Sequence, residues 1–277
     1  MTDQDSAPRT VSARLTGKVR EQAEIVLSVA VAHLSRGSQE SLRVTVDGAD
    51  VAFEEVIGFH GSRLHLLRDV PVGDLIVEYE AHVTAPPVAP EPTRQSIAAD
   101  RILFLRPSRY CESDTLTEVA AAEFSGLRGR ELLDAVSGWV GRRLLYVSGS
   151  SRATDGAVQT YLARSGVCRD FAHLAVALLR ARRVPARVVS VYAPGLTPMD
   201  FHAVAEAQLD DGQWWVVDAT GLAPRQTMLR IATGRDASDT AFLTVHSGRV
   251  DFTGIRVTAT SATDLPVDDR SLLVHLA

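Results

Sequence analysis

One cysteine of this sequence stands where its sulfur could act as a nucleophile. Cys168 follows Gly166 and comes just before an apolar helical pattern that begins at Phe171, so it lies at the predicted start of a helix. The unpaired N–H groups and the dipole of a helix N-terminus favour an anion, and the thiolate is the nucleophilic form of cysteine. We therefore predict a reactive thiol at Cys168, with a buried structural thiol as the alternative.

A predicted β-hairpin supplies a base and an acid for this thiol. His202 lies in a strand that runs to Leu209, and Asp218 ends the returning strand. With a three-residue loop, Leu209 pairs with Gln213, and Asp218 then lies on the same face as His202 and diagonal to it. A two-residue loop would place the two side chains on opposite faces, so the hypothesis depends on the loop.

A cysteine, a histidine and an aspartate in this order are typical of thiol-dependent acyl transfer. Cys168 would attack a carbonyl while His202 holds the proton, and Asp218 would orient the imidazole. The backbone N–H of Cys168 would help to stabilise the oxyanion, and Gln159 and Tyr161 are candidate side-chain donors.

The elements that must position these residues divide into two regions. Alternating apolar residues predict antiparallel strands in the first region, with Asp47-Gly48 as a hairpin turn. A proline-rich run, APPVAPEPTRQ, follows, and we place a domain boundary there, near residue 90; a long surface loop within one domain is the alternative. Residues 1–90 are thus predicted to form a β-sandwich-like domain, and residues 91–277 an α+β domain of helices followed by antiparallel strands.

Helical periodicity begins beyond that boundary. Thr115 and Glu118 have the spacing of a capping box at the start of one helix. The helix that begins near Cys168 is expected to end before Pro185, and the strands of the predicted hairpin follow it.

Composition excludes several classes of protein. The chain has 277 residues, of which 45% are hydrophobic and 23% are charged, as in an ordinary globular protein. Its net charge of −5 argues against a nucleic-acid partner. No apolar run reaches the roughly 18 residues that a membrane span needs, so we expect no membrane partner. The polar N-terminus lacks the pattern of a secretory signal, and we therefore expect a cytoplasmic protein.

The two cysteines are expected to be free thiols. They are too few for a disulfide framework or a four-cysteine zinc site, and the remaining histidines lack the spacing of metal ligands. A zinc site built from Cys168 and His202 would need a further ligand, and none is suitably spaced. We therefore predict neither a metal nor a cofactor. Cys111 is predicted to be structural, since no base is placed for it.

The segments around the three candidate residues resemble a known family. The run GVCRDFAHL at residues 166–174, the strand of His202 and the run WVVDAT at residues 215–220 resemble the transglutaminase-like core shared with bacterial protease-like members. The runs FLRPSRYCESD, from residue 104, and GRD, from residue 234, resemble further family segments. The chain departs from many members at Ala203-Val204, where those members carry a tryptophan after the histidine. This departure bears on the shape of the substrate cleft.

The resemblance implies a papain-like catalytic core of helices packed on an antiparallel sheet. It implies Cys168 as the nucleophile, His202 as the base and Asp218 as the third member of a triad. The expected activity is attack on an amide or isopeptide bond of a peptide or protein through a thioester, with hydrolysis favoured over transfer to a second amine. A non-catalytic peptide- or protein-binding module that keeps the fold is the alternative.

Overall fold

The structure, a computed structural model, describes residues 7–35, 37–85 and 92–276. Within these residues the chain has the α+β architecture that the sequence predicts, with antiparallel strands first and helices afterwards. The strands before residue 86 have the following bounds: β1 (Arg9–Leu27), β2 (Gln39–Val46), β3 (Ala49–Asp50), β4 (Glu54–Ile57), β5 (Arg63–Val70) and β6 (Gly73–Val83).

These strands form an antiparallel sheet in the order β3-β2-β6-β1-β5-β4. The predicted turn at Asp47-Gly48 joins β2 to β3. Its two residues have φ angles of 49° and 83°, the left-handed values that a two-residue turn of this kind requires and that glycine adopts without strain. Apolar side chains at alternate positions of β1 and β6 are buried and form the core beneath the sheet.

A strand from the far end of the chain completes the same sheet. β13 (Leu243–Ser261) pairs with β1 along almost its whole length, from Arg9 opposite Ser261 to Leu27 opposite Leu243. The predicted division at residue 90 therefore differs from the structure in this strand, which belongs to the sheet of the N-terminal region. Most side chains of β13 are at least partly exposed, and its apolar alternation, as at Ile255, Val257 and Ala259, is confined to short stretches separated by register shifts. The boundary itself falls in residues 86–91, outside the described residues.

The second region packs helices against a four-stranded antiparallel sheet in the order β11-β10-β9-β12. Its strands are β7 (Leu145–Tyr146), β8 (Ser165–Gly166), β9 (Ala186–Tyr192), β10 (Phe201–Gln208), β11 (Trp214–Val217) and β12 (Leu229–Gly234). Its helices are α1 (Arg94–Phe104), α2 (Thr117–Glu123), α3 (Gly129–Arg143), α4 (Ala157–Ala163), α5 (Cys168–Ala181) and α6 (Ala237–Thr240). β7 and β8 form a separate parallel pair.

Helix α5 lies at the centre of this region. It contacts α2, α3, α4 and the sheet, and every residue from Asp170 to Arg180 is buried. A helix surrounded on all sides is apolar all round, which explains its run of leucine, alanine and valine. The guanidinium of Arg180 is buried at its end and donates to the carbonyl oxygens of Arg106, Ala186 and Arg235. None of the described helices is long and apolar enough to span a membrane.

Two helix starts differ from the sequence expectations. α1 begins after Thr93, whose hydroxyl and that of Ser96 form a reciprocal capping box. The neighbouring prolines hide this signal, because they predict extended chain. The capping box expected at Thr115 and Glu118 is wrong: α2 begins after Leu116 without a side-chain cap, and the Thr117 hydroxyl donates to Ser113 instead.

Candidate active site

Cys168 is the first residue of α5, as the sequence predicts. The backbone before it is extended and turns sharply into the helix, and the Asp170 carboxylate accepts from the Val167 N–H at 2.8 Å. Gly166 permits this close approach, since a Cβ there would lie 2.6 Å from the Cβ of Asp170. The Cys168 thiol is free and half-buried, so a substrate can reach a sulfur that stands at a helix N-terminus.

The hairpin that carries His202 and Asp218 has the predicted three-residue loop. The Leu209 N–H donates to the Gln213 carbonyl at 3.1 Å, and Ala205 pairs with Val217. This register brings the two buried side chains to the same place, with 4.0 Å between Nε2 of His202 and Oδ1 of Asp218. The register prediction is confirmed, and the catalytic roles of these residues stay predictions.

The turn after β11 holds the Asp218 carboxylate in one position. Oδ1 accepts from the backbone N–H of Thr220 at 2.8 Å and from its hydroxyl at 2.7 Å, and Oδ2 accepts from the Gly221 N–H at 3.2 Å. The Asp218 carbonyl accepts from the Ser137 hydroxyl at 2.9 Å and from the Arg270 guanidinium. These hydrogen bonds fix the orientation of the buried carboxylate.

The electrostatics of His202 depend on Cys168. Burial by itself lowers the pKa of His202, but hydrogen bonding and charge attraction with Cys168 outweigh it. Attraction to Asp218 and Asp200 acts in the same direction, so the net shift of the pKa is upward. These neighbours therefore favour a proton on the buried imidazole of His202.

Sequence reasoning missed Tyr146, which the structure places beside Cys168. The parallel pair β7–β8 sets Tyr146 opposite Gly166, and the Tyr146 hydroxyl interacts with both the backbone N–H and the thiol of Cys168. Burial and the neighbouring Cys168 raise the pKa of Tyr146 to about 12, so its hydroxyl keeps its proton at neutral pH. Of the two side-chain donors suggested by sequence, Tyr161 stacks on Trp139, and Gln159 lines a polar cavity of 170 Å³ that Asp170 also lines.

The remaining candidates have structural surroundings. Cys111 is fully buried, and burial raises the pKa of its thiol to about 12, which makes it inert at neutral pH. His173 is also fully buried; it accepts from the Ala237 N–H, and burial lowers its pKa to about 3. Among the described residues no group of three histidine, cysteine, aspartate or glutamate side chains is placed to hold a metal ion.

Comparison with known proteins agrees with this fold. Residues 118–219 match the model of the transglutaminase-like superfamily core. The chain is similar to a solved structure from Cytophaga hutchinsonii, named a "putative cysteine protease", with 30% identity and a TM-score of 0.82; the match covers 95% of this chain and 93% of that one.

Two mycobacterial relatives match over shorter stretches. An uncharacterized protein of Mycobacterium leprae is 28% identical over 155 residues, which are 52% of this chain and 55% of that protein. An uncharacterized protein of Mycobacterium tuberculosis is 38% identical over 98 residues, which are 35% of this chain and 31% of that protein. The chain thus spans about half and about a third of these two relatives. The core match and the similarity along nearly the whole chain establish that it belongs to the transglutaminase-like superfamily.

Proposed function

We propose that this protein is a cysteine-dependent enzyme that hydrolyses an amide or isopeptide bond in a peptide or protein. The observation that carries the proposal is the convergence of Cys168, His202 and Asp218 in one cluster, with a half-buried thiol and two buried partners. Membership of the superfamily and similarity to a protein named as a cysteine protease support the same class of enzyme.

The first half of the reaction forms a thioester. The Cys168 thiolate attacks the substrate carbonyl carbon, a C–S bond forms, and negative charge develops on the carbonyl oxygen. In this proposal the backbone N–H of Cys168 and the Tyr146 hydroxyl, which lie next to each other, donate to that oxygen. The C–N bond then breaks, and the amine leaves with the proton that His202 held.

The second half releases the acyl group. His202, now neutral, accepts a proton from water as the water oxygen attacks the thioester carbon. The C–S bond breaks, the carboxylic acid leaves, and the proton on His202 restores the starting pair. Asp218 keeps its charge throughout and stabilises the imidazolium. We favour water over a second amine as the acceptor because the whole-length similarity is to a protein named as a protease.

Substitution of the nucleophile tests this function. Wild-type protein, Cys168→Ala and Cys111→Ala would be incubated with a library of peptides and isopeptides, and products would be identified by mass spectrometry. We expect turnover by the wild type and by Cys111→Ala, and a loss of at least roughly 10³-fold in kcat for Cys168→Ala. A thiol-directed acyl probe should label Cys168 alone.

The matched alanine variant makes the result decisive. Cys111 is the second thiol of the chain and is fully buried, so its removal controls for nonspecific thiol chemistry. Turnover that persists in Cys168→Ala would contradict the proposal. Binding of peptides without turnover by the wild type would favour a non-catalytic module instead.

A further inference from the structure

His202 and Asp218 lie close together without a direct hydrogen bond. The 4.0 Å between Nε2 and Oδ1 exceeds the 2.7–3.2 Å of ordinary N–H···O hydrogen bonds. Both side chains are buried, at 1% and 2% exposure, so bulk water does not fill the gap. A triad whose acid orients its base needs another group to connect these two atoms.

The Thr220 hydroxyl lies beside this pair, within hydrogen-bond reach of both side chains. Its oxygen is 2.7 Å from Oδ1 of Asp218 and 3.4 Å from Nε2 of His202. A hydroxyl has one proton to donate and two lone pairs to accept. Because a carboxylate only accepts, the Thr220 proton points to Asp218, and its lone pair is left for the proton on Nε2.

This arrangement selects one tautomer of the neutral imidazole. With the proton on Nε2, the lone pair is on Nδ1, the atom that would exchange a proton with Cys168. Nδ1 of His202 is buried and has no hydrogen-bond partner among the described residues. The base thus has one nitrogen directed by Thr220 and the other left for the thiol.

The position of the Thr220 side chain is set by the turn that carries it. The Thr220 backbone N–H donates to the same Asp218 oxygen as the hydroxyl does. The carbonyl of Asp218 is held in turn by Ser137 on α3 and by Arg270 near the end of the described chain. We call the contact of the Thr220 hydroxyl with Asp218 and His202 the Thr220 bridge. The backbone that carries this bridge is held in place by the fold.

We propose that Thr220 is a positioning residue whose hydroxyl transmits the orientation and charge of Asp218 to His202. The inference rests on the proposed function and deepens it, since it adds a fourth member to the three residues that sequence reasoning identifies. Valine has the shape of threonine and can neither donate nor accept, whereas serine keeps the hydroxyl. These two substitutions separate the bridge from packing.

The test compares Thr220→Val and Thr220→Ser in the full chain. Alkylation of Cys168 by iodoacetamide would be followed against pH by mass spectrometry of the Cys168 peptide, together with kcat and KM for a library substrate. We expect Thr220→Val to lose roughly tenfold to hundredfold in kcat and in alkylation rate at neutral pH, with KM little changed. Thr220→Ser should stay within about threefold of the wild type.

The pH profile adds a readout that packing alone would not move. The groups that face His202 are Cys168 on α5, Asp218 at the end of β11 and Asp200 before β10, and all three remain in both variants. Loss of the Thr220 bridge weakens the protonated imidazole, so the alkaline limb of kcat/KM against pH, where the His202 proton is lost, should move to lower pH in Thr220→Val. In Thr220→Ser this limb should lie at its wild-type pH.

The outcomes separate this inference from the proposed function. If the wild type turns over no peptide or isopeptide of the library, the proposed function fails whatever Thr220 does. If the wild type is activated and Thr220→Val behaves identically, the inference is overturned. It is also overturned if Thr220→Ser is impaired as much as Thr220→Val. Circular dichroism checks folding, and Thr220→Ala replaces the valine variant if that one does not fold.

Discussion

Burial alone would leave His202 neutral, and yet its neighbours raise its pKa. A charged imidazole in a buried site needs compensating charge within a few ångströms, because desolvation penalises any isolated ion. Cys168 and Asp218 supply this compensation from two different elements. The proposed chemistry therefore requires that α5 packs correctly against the β10–β11 hairpin. No single segment of the sequence contains all three residues.

Removal of one hydroxyl tests the role of Tyr146. Tyr146→Phe keeps the ring against Phe171 but removes the proposed donor to the oxyanion. We expect kcat to fall by roughly 10²-fold, with little change in thermal stability. Kinetics on the library substrate and a thermal unfolding curve measure the two quantities.

Tyr161→Phe is the matched control for this substitution. The Tyr161 ring stacks on Trp139 and lies under the Arg164 guanidinium, so we expect near wild-type kcat. A loss of kcat in Tyr161→Phe with none in Tyr146→Phe would contradict this expectation. It would favour Tyr161, which the sequence suggests, as the oxyanion donor.

At the scale of elements, the sequence predicts the hairpin and misses the short pair beside it. Loop length determines the register of a hairpin, so three residues between Leu209 and Gln213 suffice to place Asp218 near His202. Tyr146 is delivered by β7 and β8, which have two residues each and no periodicity to read. The sequence does not identify Thr220 for a similar reason, since its role depends on the geometry of the turn after Asp218.

Three strands of the second sheet also share a buried ion cluster. β9 contributes Arg187, β10 contributes Glu206 and β12 contributes Arg230. Both guanidinium groups contact the Glu206 carboxylate, at 2.6 and 2.7 Å. Burial by itself raises the pKa of Glu206, but the two arginines outweigh it and hold that pKa at about 2. The cluster lines a cavity of 470 Å³ between this sheet and the N-terminal region.

Neutralisation of Glu206 should destabilise the whole sheet. Glu206→Gln keeps the shape but leaves two buried guanidinium groups without their counter-charge, so we expect a loss of about 3–5 kcal/mol in the free energy of unfolding. Urea unfolding followed by circular dichroism measures it. Glu78→Gln removes a pair with Arg14 that is about half exposed, and it should cost no more than about 1 kcal/mol. Equal losses in the free energy of unfolding for the two substitutions would contradict the expectation that the buried ion pair contributes more than the exposed one.

Strand pairing and a shared apolar core join the two sequence regions of the molecule. β13 crosses back to pair with β1, and Tyr192, Leu229 and Ile231 of the second region are buried in the core of the first sheet. The Tyr192 hydroxyl donates to the Val29 carbonyl at 2.8 Å. A linear division of the chain does not anticipate this, because the contacts join residues that are far apart in sequence.

This shared core leads us to expect that the protein unfolds as one cooperative unit. All three tryptophans, at positions 139, 214 and 215, lie in the second region, so their fluorescence reports mainly on that region, although Trp214 also packs against His60 of the first. Hydrogen exchange of the β1 amides reports on the first sheet. If the core is continuous, both probes should give the same midpoint in urea, as two-state unfolding requires.

A substitution in the first sheet makes the expectation sharper. Leu15 is almost fully buried in β1, and Leu15→Ala should cost roughly 2–5 kcal/mol through the lost apolar contacts and the cavity that remains. Since every tryptophan is in the other region, a shift of the fluorescence midpoint must come through the contacts that join the two regions. We expect fluorescence and β1 exchange to shift by the same free energy. A fluorescence midpoint that stays at its wild-type value while β1 exchange accelerates would show two independently folding domains, and the role of β13 as a connection between them would be lost.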